Sequence, residues 1–231
     1  KYTLVKDAYK SIKEALFHAS LSENIKVKVI YIDTDKKNIK SLLRDVRGIV
    51  VPGGFGERGI EGKINIIRYA RENKIPFLGI CLGMQCAVIE FARDVANLKE
   101  ANSTEFDPRT PHPVIDLLPE QRKTKIKGGT MRLGNYPCRL QINSFSYRAY
   151  KKRVIRERHR HRYEFNNKYR EVLKKAGLRI AGIFPDKDLV EIIEIPSHPW
   201  FVATQFHPEF QSRPLLCHPL FRDFIRAAMK Q

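Results

Sequence analysis

The fold is decided by the stretch PFLGICLGMQCAVIEF, residues 76–91, in which an apolar run meets a helical pattern. The run predicts a buried strand over Pro76–Cys81, and the apolar spacing that follows predicts a helix over Met84–Val95. Gly79 and Gly83 flank the cysteine at the junction. Glycines are needed on both sides of a tight strand-to-helix turn that lifts its central side chain above the sheet. The pattern G-x-C-x-G therefore predicts a nucleophile elbow.

The elbow also predicts how Cys81 would react. A side chain at the N-terminus of a helix lies near the positive end of the helix dipole, which favours a thiolate. The backbone N–H of Leu82 would point towards the oxyanion that forms when the sulfur attacks a carbonyl. A cysteine between two packing glycines also fits a plain core position, so further residues must decide.

Strands and helices alternate along the first half of the chain. We predict strands at Val27–Ile32, Gly48–Val51 and Pro76–Cys81, and helices at 7–20, Ile60–Asn73 and Met84–Val95. Such alternation is typical of β-α-β units in a parallel sheet with helices on both faces. The predicted fold class is α/β, a three-layer domain around a mostly parallel central sheet.

The second half of the chain changes character. Residues 102–128 carry prolines and charges with little periodicity, which predicts a long surface loop or lid. Beyond it we predict strands at Thr130–Leu133, Leu178–Phe184, Leu189–Ile195 and Phe201–Phe206, and helices at Asn166–Lys175 and Pro219–Met229. No internal repeat and no clear linker divides the sequence, so we predict one domain over residues 1–231.

A glycine-rich turn follows the second predicted strand. Val51–Gly56 reads VPGGFG, and contiguous glycines after a strand let backbone amides face an anion or an oxyanion. Gly54–Gly59 also matches the dinucleotide fingerprint G-x-G-x-x-G. That fingerprint needs an acidic residue at the end of the next strand to bind the ribose, whereas the next strand here ends at Cys81. We therefore favour an oxyanion site over a dinucleotide site.

The segment FHPEF, residues 206–210, supplies the groups that a cysteine nucleophile needs. His207 would act as the base, and Glu209 would fix its tautomer. Both residues follow a predicted strand, and ligands of open α/β sheets bind at the carboxyl edge. A single histidine is usually structural, but beside an elbow and an oxyanion loop we interpret this one as catalytic.

The composition narrows the function classes. The formal net charge is +18, which fits nucleic acids, anionic metabolites or an acidic partner domain. No nucleic-acid-binding signature accompanies the basic residues, so we expect no nucleic acid as the main partner. No apolar run reaches about 18 residues, so we expect no membrane span. The four cysteines show no C-x-x-C spacing, so we expect free thiols in a reducing cytoplasm.

Two shorter patterns do not indicate a site of their own. His159 and His161 are spaced like a pair of metal ligands, but no third ligand is identifiable, so we expect no metal. Lys127–Thr130 has the wrong order and spacing for a phosphate-binding P-loop. Because the sequence opens at Lys1 without an initiator methionine, we interpret it as part of a longer protein.

Six motifs together resemble the class I glutamine amidotransferases, and most closely the glutaminase domains of the CTP synthase family. They are PGGFG (52–56), GICLGMQ (79–85), ANSTEF (101–106), GGTMRLG (128–134), RHRHRYE (158–164) and QFHPEF (205–210). The elbow and H-P-E are shared by many glutaminases, whereas ANSTEF and RHRHRYE are specific to the CTP synthase group. The similarity extends from about Asp7 to Phe224.

The resemblance implies a flavodoxin-like fold and a cysteine-dependent glutaminase. L-glutamine and water would give L-glutamate and ammonia through a γ-glutamyl thioester on Cys81. His207 and Glu209 would complete the catalytic triad, and the amides of Gly54 and Leu82 would form the oxyanion hole.

The resemblance also implies how glutamine is held. Gln85 and Glu105 would bind the α-amino end, and Arg162 would bind the α-carboxylate. These residue types suit the task, because a carboxylate pairs with an ammonium and a guanidinium forks onto a carboxylate. Without the resemblance, Arg158, Arg160 and Arg162 would be interpreted as a solvated basic face.

The cofactors and partners implied lie mostly outside this chain. The ammonia would pass to an N-terminal synthetase (amidoligase) domain that aminates UTP to CTP with ATP and Mg, and GTP would be the allosteric activator. We expect no cofactor in residues 1–231 themselves. The resemblance further implies a homotetramer for the full-length enzyme.

Two alternatives remain open at this point. Another elbow-cysteine hydrolase, such as a γ-glutamyl hydrolase or an intracellular-protease-like protein, would share the elbow. A catalytically silent regulatory module would share the fold alone. Steady release of ammonia from free glutamine distinguishes a glutaminase from both.

Overall fold

The elbow lies within a seven-stranded sheet in the computed structural model, which describes residues 5, 7–35, 39–122 and 131–231. Across this sheet the strands run in the order β1 (Ile49–Val51), β2 (Phe77–Ile80), β10 (Phe201–Thr204), β9 (Leu189–Glu194), β8 (Arg179–Phe184), β5 (Arg132–Leu140) and β6 (Val154–His161). A small second sheet contains β3 (Asn102–Ser103), β4 (Pro113–Asp116) and β7 (Glu164–Phe165).

The large sheet is mixed rather than mostly parallel. Strands β1, β2 and β10 pair in parallel, whereas the pairs from β10 through β9, β8 and β5 to β6 are antiparallel. The reason lies in the connections. Strands β8 and β9 are joined by the short segment 185–188, and only an antiparallel pair can be closed by so short a turn.

Helices cover both faces of the sheet, as the α/β class requires. They are α1 (Lys10–Ser22), α2 (Ile39–Leu42), α3 (Ile60–Glu72), α4 (Leu82–Asp94), α5 (Pro119–Arg122), α6 (Phe145–Tyr150), α7 (Arg170–Lys175) and α8 (Pro219–Ala228). Successive side chains of β2 point to opposite faces. Phe77 packs in the core cluster of α3 and α4, and Leu78 in that of α1 and α8. None of the helices in the described part is long and apolar enough to cross a bilayer.

The predicted strand Val27–Ile32 is wrong. These residues form no strand, and several of their large side chains are exposed, Ile30 at 52% and Tyr31 at 50%. Strand propensity reflects how well a β-branched side chain fits a half-buried sheet surface. The run has the right composition but pairs with no strand among the described residues.

The predicted loop at residues 102–128 is wrong in its first part. Strands β3 and β4 and helix α5 occupy much of 102–122, and Val114 and Ile115 are fully buried in the core against α4. Strands this short carry too little alternation to be recognised from the sequence. Residues 123–130, including the first half of the GGTMRLG motif, lie outside the described residues.

Candidate active site

Cys81 occupies a strained turn between β2 and α4. Its backbone has φ 51° and ψ −102°, a conformation that costs a residue with a side chain of the order of 1–3 kcal/mol. The flanking glycines explain how the turn fits. A Cβ added at Gly83 would clash with the carbonyl oxygen of Val51, and one at Gly79 would approach Ala203 Cβ to 2.8 Å. The sequence prediction of an elbow is therefore matched by the geometry.

His207 and Glu209 reach the same edge of the sheet because β10 runs parallel to β2. Ile80 pairs with Thr204 at the ends of the two strands, so the chain leaves both strands at the same level. His207 Nδ1 lies 2.8 Å from Glu209 Oε1, and the backbone N–H of His207 donates to the carbonyl oxygen of Arg158 at 2.8 Å. The residue is thus fixed at its ring and at its backbone.

The His207 ring and the Cys81 side chain converge over Gly53. A Cβ built on Gly53 would lie 2.9 Å from His207 Cε1 and 3.5 Å from Cys81 Cβ. Burial disfavours the imidazolium, but interactions with the Cys81 thiolate and the Glu209 carboxylate outweigh it and raise the pKa of His207 to about 10. His207 Nε2 is buried and makes no hydrogen bond within the described ranges. The arrangement favours an imidazolium beside a thiolate.

The two predicted oxyanion amides lie at this edge as well. Leu82 is the first residue of α4, whose first-turn N–H groups have no partner within the helix. Gly54 follows β1, and β1 pairs in parallel with β2, Val51 opposite Gly79. The glycine loop is thereby brought beside the elbow.

The predicted substrate-binding residues surround the elbow on three different segments. Gln85 lies one helical turn after Cys81, and its Nε2 donates to the carbonyl oxygen of Tyr163 at 3.2 Å. Glu105 Oε1 accepts from the N–H of Gly56 at 2.9 Å, which ties it to the glycine loop. Arg162 follows β6, and its buried Nε has no hydrogen-bond partner within the described residues. A guanidinium left in this state is suited to receive an anionic ligand.

Strand β6 turns the basic run into two faces. Its residues alternate between exposed and buried, so that Arg156, Arg158 and Arg160 point to solvent while His159 and His161 point inwards. The solvated basic face is therefore real for the arginines of the strand. No three His, Cys, Asp or Glu residues in the described ranges are grouped so as to hold a metal ion.

A buried charge network lies on the inner face of β6, and the sequence did not reveal it. Arg132 Nη1 lies 2.8 Å from Glu191 Oε1 and 3.2 Å from Glu164 Oε1. His159 Nδ1 and His161 Nε2 are 2.9 Å apart. Burial raises the pKa of both carboxyl groups and, with the Arg132 charge nearby, lowers the pKa of both histidines. One guanidinium thus faces two carboxyl groups that share a proton, beside two neutral imidazoles.

Replacing the cation of this network is expected to be costly. Arg132→Met should lower the free energy of unfolding by about 3–5 kcal/mol, because the two carboxyl groups stay buried without their partner. A carboxyl group with a raised pKa favours the folded state at acid pH, and that effect is lost as pH rises. Removing Arg132 raises both pKa values further, so the loss should be larger at pH 8 than at pH 6. Urea denaturation at both pH values measures it.

The matched control for this change is Lys187→Met. Lys187 pairs with Glu120 at 2.8 Å on the surface, where both side chains are more than half exposed. Such pairs contribute at most about 1 kcal/mol. Equal losses from Arg132→Met and Lys187→Met would contradict the interpretation of a desolvated network.

Residues 4–227 match the family described as glutamine amidotransferase class-I. The chain belongs to this family. The predicted resemblance is thereby confirmed, and the sequence relatives extend it. The amidotransferase chain is 62% identical over 232 residues to a CTP synthase of Caldanaerobacter subterraneus, covering 99% of this chain and 43% of that protein. It is 60% identical to a CTP synthase of Pelotomaculum thermopropionicum, again covering 43% of it. The amidotransferase chain therefore spans less than half the length of these relatives.

Solved structures agree with the observed fold. The glutaminase domain of a Trypanosoma brucei CTP synthase, with bound acivicin, superposes with a TM-score of 0.93 and 36% identity, covering 100% of this chain and 92% of that one. A GMP synthase component from Thermoplasma acidophilum shares the fold with a TM-score of 0.62, at 18% identity and with 94% of this chain covered. The predicted α/β class is confirmed, with the correction that its sheet is mixed.

Proposed function

We propose that this chain is the glutaminase domain of a CTP synthase, and that it hydrolyses L-glutamine to L-glutamate and ammonia. The observation that carries the proposal is the convergence of Cys81, His207 and Glu209 at one edge of the sheet, with the Nδ1–Oε1 contact of 2.8 Å already formed. The 92% coverage of a solved glutaminase domain supports it. We take residues 1–231 as one domain.

The reaction follows from the charges of the three side chains. The Cys81 thiolate attacks the carboxamide carbon of glutamine, and the resulting oxyanion receives the N–H groups of Gly54 and Leu82. The His207 imidazolium gives its proton to the leaving nitrogen, so ammonia departs and a γ-glutamyl thioester remains. His207, now neutral, takes a proton from water, whose oxygen attacks the thioester and releases glutamate. Glu209 holds Nδ1–H throughout.

Substrate recognition rests on three polar groups. Arg162 offers a guanidinium with a buried, unpartnered Nε for the α-carboxylate. Gln85 uses its N–H₂ group on internal acceptors, which leaves its Oε1 free to accept from the α-ammonium. Glu105 adds a carboxylate on the opposite segment, held by the amide of Gly56.

The role of the ammonia is inferred from the longer relatives. Because the chain covers 43% of proteins named CTP synthase, we infer a synthetase domain as partner. That domain would aminate UTP with ATP and Mg, GTP would act as allosteric activator, and the whole protein would be a cytoplasmic homotetramer. The +18 charge of this chain suits docking to an acidic domain and to nucleotides.

The test is the direct assay of the purified chain with glutamine. We expect glutamate and ammonia in equal amounts from free L-glutamine. A γ-glutamyl hydrolase would prefer γ-glutamyl peptides, and a silent module would release neither product. Absence of turnover with glutamine, both alone and with a CTP synthase synthetase domain and GTP added, would contradict the proposal.

Arg162→Ala should raise the KM for glutamine by at least about 30-fold. Truncating a buried charged partner of a ligand costs about 2–5 kcal/mol in binding, and each 1.4 kcal/mol is a factor of ten. Turnover should fall less, because the carboxylate contact exists in the ground state and the transition state alike. Lysine should restore the KM only in part, since an ammonium lacks the planar fork. Steady-state kinetics with glutamine measure both variants against the parent.

Arg158→Ala is the matched control for this change. Arg158 lies upstream of Arg162 within β6, and its side chain is exposed. The KM should therefore stay within about twofold, in the range of ordinary surface substitutions. If Arg158→Ala raises the KM and Arg162→Ala does not, the guanidinium that binds the substrate has been misassigned.

A further inference from the structure

Gln205 is a fully buried carboxamide that contacts the nucleophile. It follows β10, two residues before His207, and none of its surface is exposed. Its Nε2 lies 3.8 Å from Cys81 Sγ, and its Oε1 accepts from Gln85 Nε2 at 3.3 Å. Its backbone N–H donates to the carbonyl oxygen of Glu191 at 2.8 Å, which fixes the start of the side chain. The mechanism above gives this side chain no task.

The hydrogen-bond chain determines which end of the Gln205 amide faces the sulfur. The carbonyl oxygen of Tyr163 can only accept, so the N–H₂ group of Gln85 must point towards it. The second N–H of that group then meets Gln205, which must present its Oε1. The N–H₂ group of Gln205 is therefore the end that is directed at Cys81.

The other side of the sulfur has the opposite character. The carbonyl oxygen of Arg160 lies 4.0 Å from Cys81 Sγ and can accept a hydrogen bond from a thiol, but it cannot donate one to a thiolate. His207, backed by Glu209, is the titratable side chain that faces the sulfur. Gln205 is thus a neutral donor to the thiolate that stays in place in every protonation state of His207.

We propose that Gln205 is a catalytic residue that stabilises the Cys81 thiolate by donating a hydrogen bond from Nε2. The donor would act before the attack and again when the thioester breaks and the sulfur leaves as a thiolate. The assignment rests on the proposed role of Cys81 as nucleophile. It also links the nucleophile to the substrate, because the same Gln85 whose Oε1 awaits the α-ammonium holds the Gln205 amide in orientation.

The test measures the sulfur itself rather than turnover. Iodoacetamide alkylation of Cys81 is followed from pH 5 to pH 10 by mass spectrometry of the peptide, in the whole chain with the partly exposed Cys217 replaced by serine. Gln205→Met removes the donor at similar length, and Gln205→Glu replaces it by an acceptor of the same shape. A hydrogen bond to a charged group contributes about 1.5–3 kcal/mol, so the pH midpoint of alkylation should rise by about one unit or more in both variants.

Thr204→Val is the matched control. Thr204 is equally buried beside Gln205, and its hydroxyl donates to the carbonyl oxygen of Phe206 rather than to the sulfur. Its midpoint should equal that of the parent. An unchanged midpoint in the Gln205 variants, or an equal rise in Thr204→Val, would overturn the proposal. If Gln205→Met does not fold, Gln205→Glu alone decides. Alkylation is read without glutamine, so a parent chain that lacks glutaminase activity would refute the proposed function and leave this test intact.

Discussion

Cys81→Ala should abolish the release of ammonia from glutamine, lowering turnover by about 10⁴-fold or more, as removal of a triad nucleophile does. The loss has a chemical reason, since no other sulfur can form the thioester at this position. Cys86 lies fully buried in the core of α4, and Cys138 is fully buried beneath β5. The rate of ammonia formation, measured with a coupled assay over several hours, gives the size of the effect.

Mapping the reactive sulfur checks the same assignment independently. An electrophilic glutamine analogue should add one mass equivalent to the parent chain, located on the Cys81 peptide, and none to Cys81→Ala. Cys86→Ala is the matched control, because Cys86 lies on the same helix but inside the core. It should keep both labelling and turnover. Labelling shared with Cys86 or Cys217, or a Cys81→Ala variant with parental turnover, would contradict the elbow as the site of attack.

The sequence predicted the elbow well because local rules determine it. A strand, a cysteine between two glycines and a helix follow each other within 16 residues, and the close approaches at Gly79 and Gly83 explain why no larger residue stands there. The position of His207 follows from one further condition, that β10 runs parallel to β2. The chain meets that condition, with Ala203 opposite Gly79.

Long-range polar pairing is what the sequence could not predict. Arg132, Glu164 and Glu191 stand on three strands that are separated by up to 59 residues in sequence, and charged residues in a strand pattern are ordinarily read as solvent-facing. Their burial depends on each other, because none can be desolvated without its partners. The alternation of arginine and histidine in β6 was the one available signal, and it indicates a two-faced strand rather than a metal site.

His207→Ala should lower turnover by about 10²–10⁴-fold, the range expected when a general acid–base group is lost. Without the imidazole the leaving nitrogen has no proton donor, and the water that attacks the thioester has no base. Glu209→Gln should cost less, because the amide can still contact Nδ1 while the charge that favours the imidazolium is gone. The measurement is the initial rate of glutamate formation at saturating glutamine.

The pH dependence of stability distinguishes the charged pair from a simple loss of packing. The folded-state pKa of His207 is raised to about 10 from its ordinary value near 6.5. A raised pKa contributes stability that is fully present below about pH 6.5 and is lost as pH rises through about 10. The stability advantage of the parent over His207→Ala should therefore shrink between pH 6.5 and pH 10 in urea denaturation. His218→Ala is the control, since His218 is a buried histidine that contacts Glu157 and Tyr150 instead of Cys81. A His207→Ala variant with parental turnover, or an advantage that grows with pH, would contradict the proposed imidazolium–thiolate pair.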